Sequence, residues 1–302
     1  MDSLSGYTTV TFAMVVSITT AAGQPLVGLG PFGAACCEIF EIDPLSAATS
    51  PIGNTFVPPG SYGGITDFEG HILVLGAEGV YELDATTGTI SLRFPLRSLQ
   101  VNSFGGFTAA PDGSALYIVD TNSTFARVDP ASGQASIIAL LPAPIRGLTF
   151  VDDGRLIGLR ADGPASELYE IEPATGAATL LAGLALPMNS ITPPSAGLAF
   201  CPDDGVLYTS WLGDLYTVDI STGAATLIGA TGEPAISGLA CAATPVPCPA
   251  DVNGDGLLTA ADLNAWVLAF NSNAPGCDQN GDGLCTPSDF TTWILNFNTG
   301  CG

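Results

Sequence analysis

A pair of hairpins recurs through the first 240 residues, and a chain that repeats itself in this way has few folds open to it. The clearer half reads strand, turn, strand: IFEIDPLSAAT, VYELDATTGTI, FARVDPASGQA, LYEIEPATGAA and LYTVDISTGAA. Its turn acids are Asp43, Asp84, Asp129, Glu172 and Asp219, which recur every 41 to 47 residues. Four of the five turns carry a Gly soon afterwards (Gly88, Gly133, Gly176, Gly223), where a hairpin needs φ > 0. The other half precedes each of the last four: GGITDFEGHILVL, GGFTAAPDGSALYIV, RGLTFVDDGRLIGL and AGLAFCPDDGVLYTS, with turns ending at Gly70, Gly113, Gly154 and Gly205. Four short strands per unit at a period of about forty residues predict a mainly β chain folded as a β-propeller.

The strand count also predicts how the ring closes. Four units run complete from Gly64 to about Ser237, whereas the N-terminal segment supplies only later strands (26–29, 37–43 and 47–52). Residues 237–241 read as an isolated first strand. Joining the two makes a fifth, composite blade and leaves no sheet edge open. Five blades are expected; six, with one degenerate, is the alternative. The repeat resembles YVTN- and NHL-like propellers in architecture alone, with no Trp-Asp or kelch signature.

Composition narrows the partners. The 302 residues carry 29 acidic and six basic side chains, a formal net charge of −23. All six are Arg (Arg93, Arg97, Arg127, Arg146, Arg155, Arg160). Phosphate backbones and anionic membrane surfaces would be repelled, so no nucleic acid partner is expected. Residues 7–18 form an apolar run too short to span a bilayer, followed by Ala21-Ala22-Gly23. This predicts a signal peptide over 1–23 and a mature chain without a transmembrane segment; an N-terminal strand is the alternative. Eight cysteines with one histidine fit disulfides in an exported protein better than zinc ligation. Cys36 or Cys37 is expected to pair with Cys241, leaving Cys201 as a free thiol or as the alternative partner. Cys248, Cys277, Cys285 and Cys301 frame the C-terminal segment, and three connectivities remain open for them.

That segment contains a second duplication. Residues 251–262 (DVNGDGLLTAAD) and 278–289 (DQNGDGLCTPSD) match at an offset of 27. Asp251, Asn253, Asp255, Thr259 and Asp262 stand at loop positions 1, 3, 5, 9 and 12, with the Leu257 carbonyl at position 7. Asp278, Asn280, Asp282, Thr286 and Asp289, with the Leu284 carbonyl, repeat the set. Alternate oxygen donors around a position-6 Gly suit a hard cation such as Ca²⁺, and two ions are expected. After each loop, Leu263, Trp266, Val267 and Phe270, and Phe290, Trp293, Ile294 and Phe297, fall at i, i+3, i+4, i+7. That spacing predicts two short helices packed face to face. Prolines before the first loop, and residues 271–276 before the second, predict no helix leading into either loop.

Duplicated loop-helix units with Asp at position 12 resemble a dockerin domain. The flanking cysteines and Gly300-Cys301 are similar to GC-type dockerins, over residues 248–302. The resemblance implies an α-helical two-calcium module with a cohesin-like or cell-surface protein as partner. Where cellulosomal dockerins touch cohesin, this chain has Ala260-Ala261 and Pro287-Ser288, then Leu268 and Leu295, so a cellulosome-type cohesin is not implied. The expected domains are therefore a signal peptide (1–23), a propeller (24–242), a Pro-rich linker (243–249) and a dockerin-like module (250–302).

The repeated turn acids read as turn formers rather than catalysts. His71 shows no acidic or Ser partner in sequence, so no triad is expected. Long connections at 51–63, 94–105 and 184–197 are the better pointers to a ligand, because loops on a rigid scaffold carry function. Tyr62, Arg93, Arg97, Asn102 and Asn189 are their candidate residues, suited to a glycan or peptide. Two functions follow: a secreted or surface-attached binding propeller, or an extracellular propeller enzyme acting on polysaccharide. The second needs converging inner-strand carboxylates, for which Asp67 and Asp120 are the candidates. The binding protein is the favoured reading.

Overall fold

The computed structural model describes residues 24–30, 38–52, 62–76, 78–84, 88–99, 104–162, 165–187, 196–233, 235–242, 249–253 and 258–299. Twenty strands form five four-stranded antiparallel sheets, followed by two helices. The first sequential blade holds β4 (Tyr62–Phe68), β5 (His71–Gly76), β6 (Gly79–Leu83) and β7 (Ile90–Pro95). The next is β8 (Phe104–Ala109), β9 (Leu116–Asp120), β10 (Thr124–Val128) and β11 (Ala135–Leu140). Then come β12 (Ile145–Phe150), β13 (Leu156–Asp162), β14 (Ala165–Ile171) and β15 (Ala178–Gly183), and β16 (Ala196–Cys201), β17 (Val206–Trp211), β18 (Asp214–Val218) and β19 (Ala225–Ala230).

The fifth blade is composite. The last strand, β20 (Gly238–Cys241), pairs with β1 (Leu26–Leu29), which continues through β2 (Ile39–Ile42) to β3 (Thr49–Pro51). Val27 lies opposite Ala240 and Gly28 opposite Leu239, so the two ends of the repeat complete one sheet. The five-bladed expectation holds.

Sequence and packing agree because a propeller blade is covered on both faces. Second strands such as HILVLG and LYIVD are near-continuous apolar runs, as a doubly covered strand requires. Outermost strands such as ATLIGA are largely exposed. The buried residues of the propeller divide into five clusters, each shared by two adjacent blades. One joins Phe68 and Leu73 to Phe107 and Ile118; another joins Leu26 and Ile42 to Ala199 and Leu215. Turn chemistry also acts as expected. Asp43 accepts hydrogen bonds from Leu45 N and Ser46 Oγ, and Asp129 from Ala131 N and Ser132 Oγ. These bonds hold both carboxyls below the usual carboxylate range. The fourth residue after each turn acid has positive φ; in the first unit Ala47 takes the position held by Gly in the others.

The first-choice cysteine pairing needs correcting, and the alternative holds. Cys241 bonds to Cys201, not to Cys36 or Cys37, which lie outside the described residues. Cys201 ends β16 and Cys241 ends β20, the neighbouring innermost strand, so the bridge ties the closing blade to its predecessor. The bonded residues are separated by 40 positions, and closing a loop of that size stabilises by roughly 2–4 kcal/mol. Replacing both with Ser is expected to lower stability by about that much, read as a falling urea midpoint. An unchanged midpoint would show that strand pairing alone closes the ring.

The two C-terminal helices are α1 (Ala260–Ser272) and α2 (Pro287–Thr299). They share a small core of Ala250, Trp266 and Trp293, with Trp266 against Phe290 at 5.1 Å between ring centroids. Val267 and Ile294, expected within that core, are exposed. The expected non-helical approach to the second loop is also corrected. α1 runs on to Ser272, and Pro275–Cys277 makes a 3₁₀ turn. Pro heads this turn without loss, because the first N–H of a helix has no partner to lose.

Candidate functional site

The duplicated loops are built by their twelfth residues. Asp289, fully buried, accepts hydrogen bonds from Gln279 N and Asn280 N at the start of the second loop, and from Thr286 N where the helix begins. Asp262, also fully buried, does the same for Asn253 N and Thr259 N. Each Asp is thus a capping-box residue that clamps a loop to its helix. Thr286 N is the main reason the Asp289 carboxyl lies below the usual carboxylate range.

Within the second loop, Asp278 accepts from Gly281 N, Asp282 N and Gly283 N, while Asp282 accepts from Leu284 N. Gly281 and Gly283 have φ of +74° and +83°, which lets the chain curl around Asp278. Asn280 donates its side-chain amide to Asp282, so the donors are turned on one another and on the loop's own N–H groups. Among the described residues no three Asp, Glu, His or Cys side chains converge as a formed metal centre. In donor chemistry, a run of hard oxygens on a loop already curled by two left-handed glycines, the residues fit calcium. In the first loop Asp251, Asn253, Thr259 and Asp262 are described, while Asp255 and Leu257 lie outside.

The two units are latched to each other. Trp266, on the helix after the first loop, donates its indole N–H to the Cys277 carbonyl, immediately before the second loop (3.2 Å). Trp293, on the helix after the second, donates to the Ala250 carbonyl, immediately before the first (3.0 Å). Both accepting residues are fully buried. The same 27-residue offset relates donors and acceptors. Cys277 also bonds to Cys285, tying the residue before the second loop to that loop's eighth residue; Cys248 and Cys301 lie outside the described residues.

The propeller's candidate residues are not brought together. Tyr62 begins the innermost strand β4, its side chain outside the described set, whereas Arg93 sits on the outermost strand β7 of the same sheet. Three strand spacings of about 4.8 Å separate those strands. Arg93 pairs with Glu82 at 3.2 Å and lies over the Phe68 ring. Arg97 bridges to Gln134 at a blade edge. Asn102 and Asn189 lie outside the described residues. His71 does have an acidic partner, Glu82 at 2.8 Å, which it shares with Arg93 in a surface network. Asp120 is buried but spends Oδ1 on Asn122 N and Thr124 N. Asp67 lies opposite Ile72, near the other end of its inner strand. The two acids form no catalytic pair.

Sequence reasoning missed Arg146. The central channel is walled by the five first strands, each with a Gly followed by a large apolar residue: Gly64-Ile65, Gly106-Phe107, Gly147-Leu148, Gly197-Leu198 and Gly238-Leu239. The residue before each Gly is Gly63, Gly105, Ala196 or Ser237 in four blades and Arg146 in the fifth. That departure was visible in the aligned repeats; its position in the channel was not.

No protein-family model matches this chain, and no curated protein matches it either. Solved structures do. A chain of a nidogen/laminin complex is 12% identical and aligns over 72% of this chain and 82% of its own, with a TM-score of 0.50. A Xanthomonas campestris gluconolactonase is 15% identical over 70% of this chain and 78% of its own (TM-score 0.45). A Bacteroides thetaiotaomicron protein of unknown function is 17% identical over 67% of this chain and 56% of its own (TM-score 0.44). At such identities the likeness is one of fold, a propeller.

Proposed function

We propose that this is an exported interaction protein whose propeller is held in place by a calcium-dependent, dockerin-like C-terminal module. The carrying observation is the internal symmetry of that module: two loop-helix units in one register, exchanging Trp latches. Calcium would supply the positive charge that lets each loop's carboxylates share one centre. Asp278, Asn280, Asp282, Thr286, Asp289 and the Leu284 carbonyl would hold the second ion, and the corresponding residues from Asp251 to Asp262 the first.

The attachment surface is proposed at the symmetry-related Leu268 and Leu295, which are 70% and 65% exposed beside the exposed Val267 and Ile294. Paired apolar residues left in water on a small domain mark a protein contact. A cohesin-like or cell-surface protein would take this face, leaving the propeller free for a glycan or peptide. An exported location fits the disulfides, and no helix among the described residues is long and apolar enough to cross a membrane.

The test is retention at the surface of the producing cell. L268D/L295D is expected to release the protein into the medium at least tenfold more than wild type, with unchanged far-UV circular dichroism, because both side chains are exposed. Full retention of the double variant would refute the attachment role of this face.

A further inference from the structure

We propose that Arg146 makes the central channel of the propeller a binding site for a single carboxylate group. The sheet geometry places it there. Ile145 pairs with Arg160 and Gly147 with Leu159, so Arg146 is the extra residue of a β-bulge. A bulge re-aims a side chain, and this one joins Gly63, Gly105 and Ser237 around the channel. Room for it comes from the neighbouring blade: a Cβ on Gly105 would stand 2.3 Å from the Ile145 carbonyl oxygen, so no side chain is admitted there.

One donor of the half-buried guanidinium is left unmatched among the described residues. Its Nε is buried and makes no hydrogen bond. Asp162, the acid whose charge it feels, is already held by Arg160 through two bonds of 2.6 and 2.8 Å. Burial accordingly pulls Arg146 below the usual arginine range, with Asp162 opposing. A buried, unmatched N–H is unfavourable, and a planar donor fork is met best by the two oxygens of a carboxylate.

The rest of the channel decides the size and charge of the ligand. Glycine, apolar side chains and Ser237 line an opening whose enclosed space is only about 10 Å³, room for one water-sized group, so a ligand presents its carboxylate at the mouth and a polymer does not thread the channel. With a net charge of −23 around one channel arginine, a dianion such as phosphate is opposed more strongly than a monocarboxylate. The carboxylate can come from an aliphatic acid or from a sugar acid.

The full chain has six arginines and therefore six Nε–Hε resonances. In ¹⁵N-arginine-labelled protein, titration with sodium acetate is expected to shift one resonance saturably, with half-saturation on the order of 1–10 mM for so small a ligand. That resonance should be absent in R146K; failing that variant, it is identified by elimination using substitutions of the other five arginines. Sodium chloride at equal ionic strength should leave it in place. Glucuronate saturating at lower concentration than acetate would assign the source as a sugar acid, and the reverse order an aliphatic acid; both support the site. No saturable shift, an equal response to chloride, or tighter saturation by phosphate would overturn the proposal.

Discussion

Gly147→Ala is expected to lower propeller stability by about 3 kcal/mol or more, the upper end for overpacking a close-fitted core. An added Cβ would lie 2.5 Å from Leu198 Cβ and 2.9 Å from Leu198 N. The obstacle is the next blade's own backbone, and a closed ring cannot shift one blade without disturbing all five. For a domain of this size the loss corresponds to a melting temperature lower by roughly 6–12 °C. Two controls separate crowding from backbone strain. Gly154 has φ +82° with no atom near a Cβ, so Gly154→Ala should lose only about 1 kcal/mol. Gly183 has open space and no positive φ, and its Ala variant should stay within about 0.5 kcal/mol of wild type. Equal effects at Gly147 and Gly183 would refute the account of inner-strand packing.

The second large effect is expected from calcium. Calorimetric titration of the whole chain should give two sites, and Asp282→Ala should leave one. At a hundredfold excess over the dissociation constant, one ion adds about 2.7 kcal/mol to the stability of the unit that binds it, which EDTA should remove. Trp266 and Trp293 report this in fluorescence, against a constant background from Trp211 in the propeller. Their latches add a crossed effect. Trp293→Phe leaves the buried Ala250 carbonyl without its donor, a loss of about 1–3 kcal/mol, and Ala250 precedes the first loop although Trp293 follows the second. Weakening of the first site by this substitution is therefore expected. Absence of any calcium binding at millimolar concentration would end the reading of both loops.

Much of this was legible in the chain because the interactions involved are local. A turn acid bonds N–H groups two and three residues on, as Asp219 does with Ser221 and Thr222. Blade count, the composite fifth blade and the two terminal helices follow from patterns of that range. The glycan or peptide candidates were read from loop position alone. Arg93 therefore passed for a loop residue when it lies on a strand and already has Glu82 as partner.

Three features depended on residues that only the tertiary fold brings together. The partner of Cys241 is chosen by the adjacency of β16 and β20, not by spacing along the chain. The Trp latches follow from two helices meeting back to back, which puts each indole beside a carbonyl 11 or 43 residues away. Arg146 looks like any strand residue until a bulge turns it and five inner strands enclose it. Repetition specifies the unit through short-range hydrogen bonds and apolar periodicity. The ring's interior is an equilibrium among all five units, and what a side chain meets there is decided by its neighbours in space.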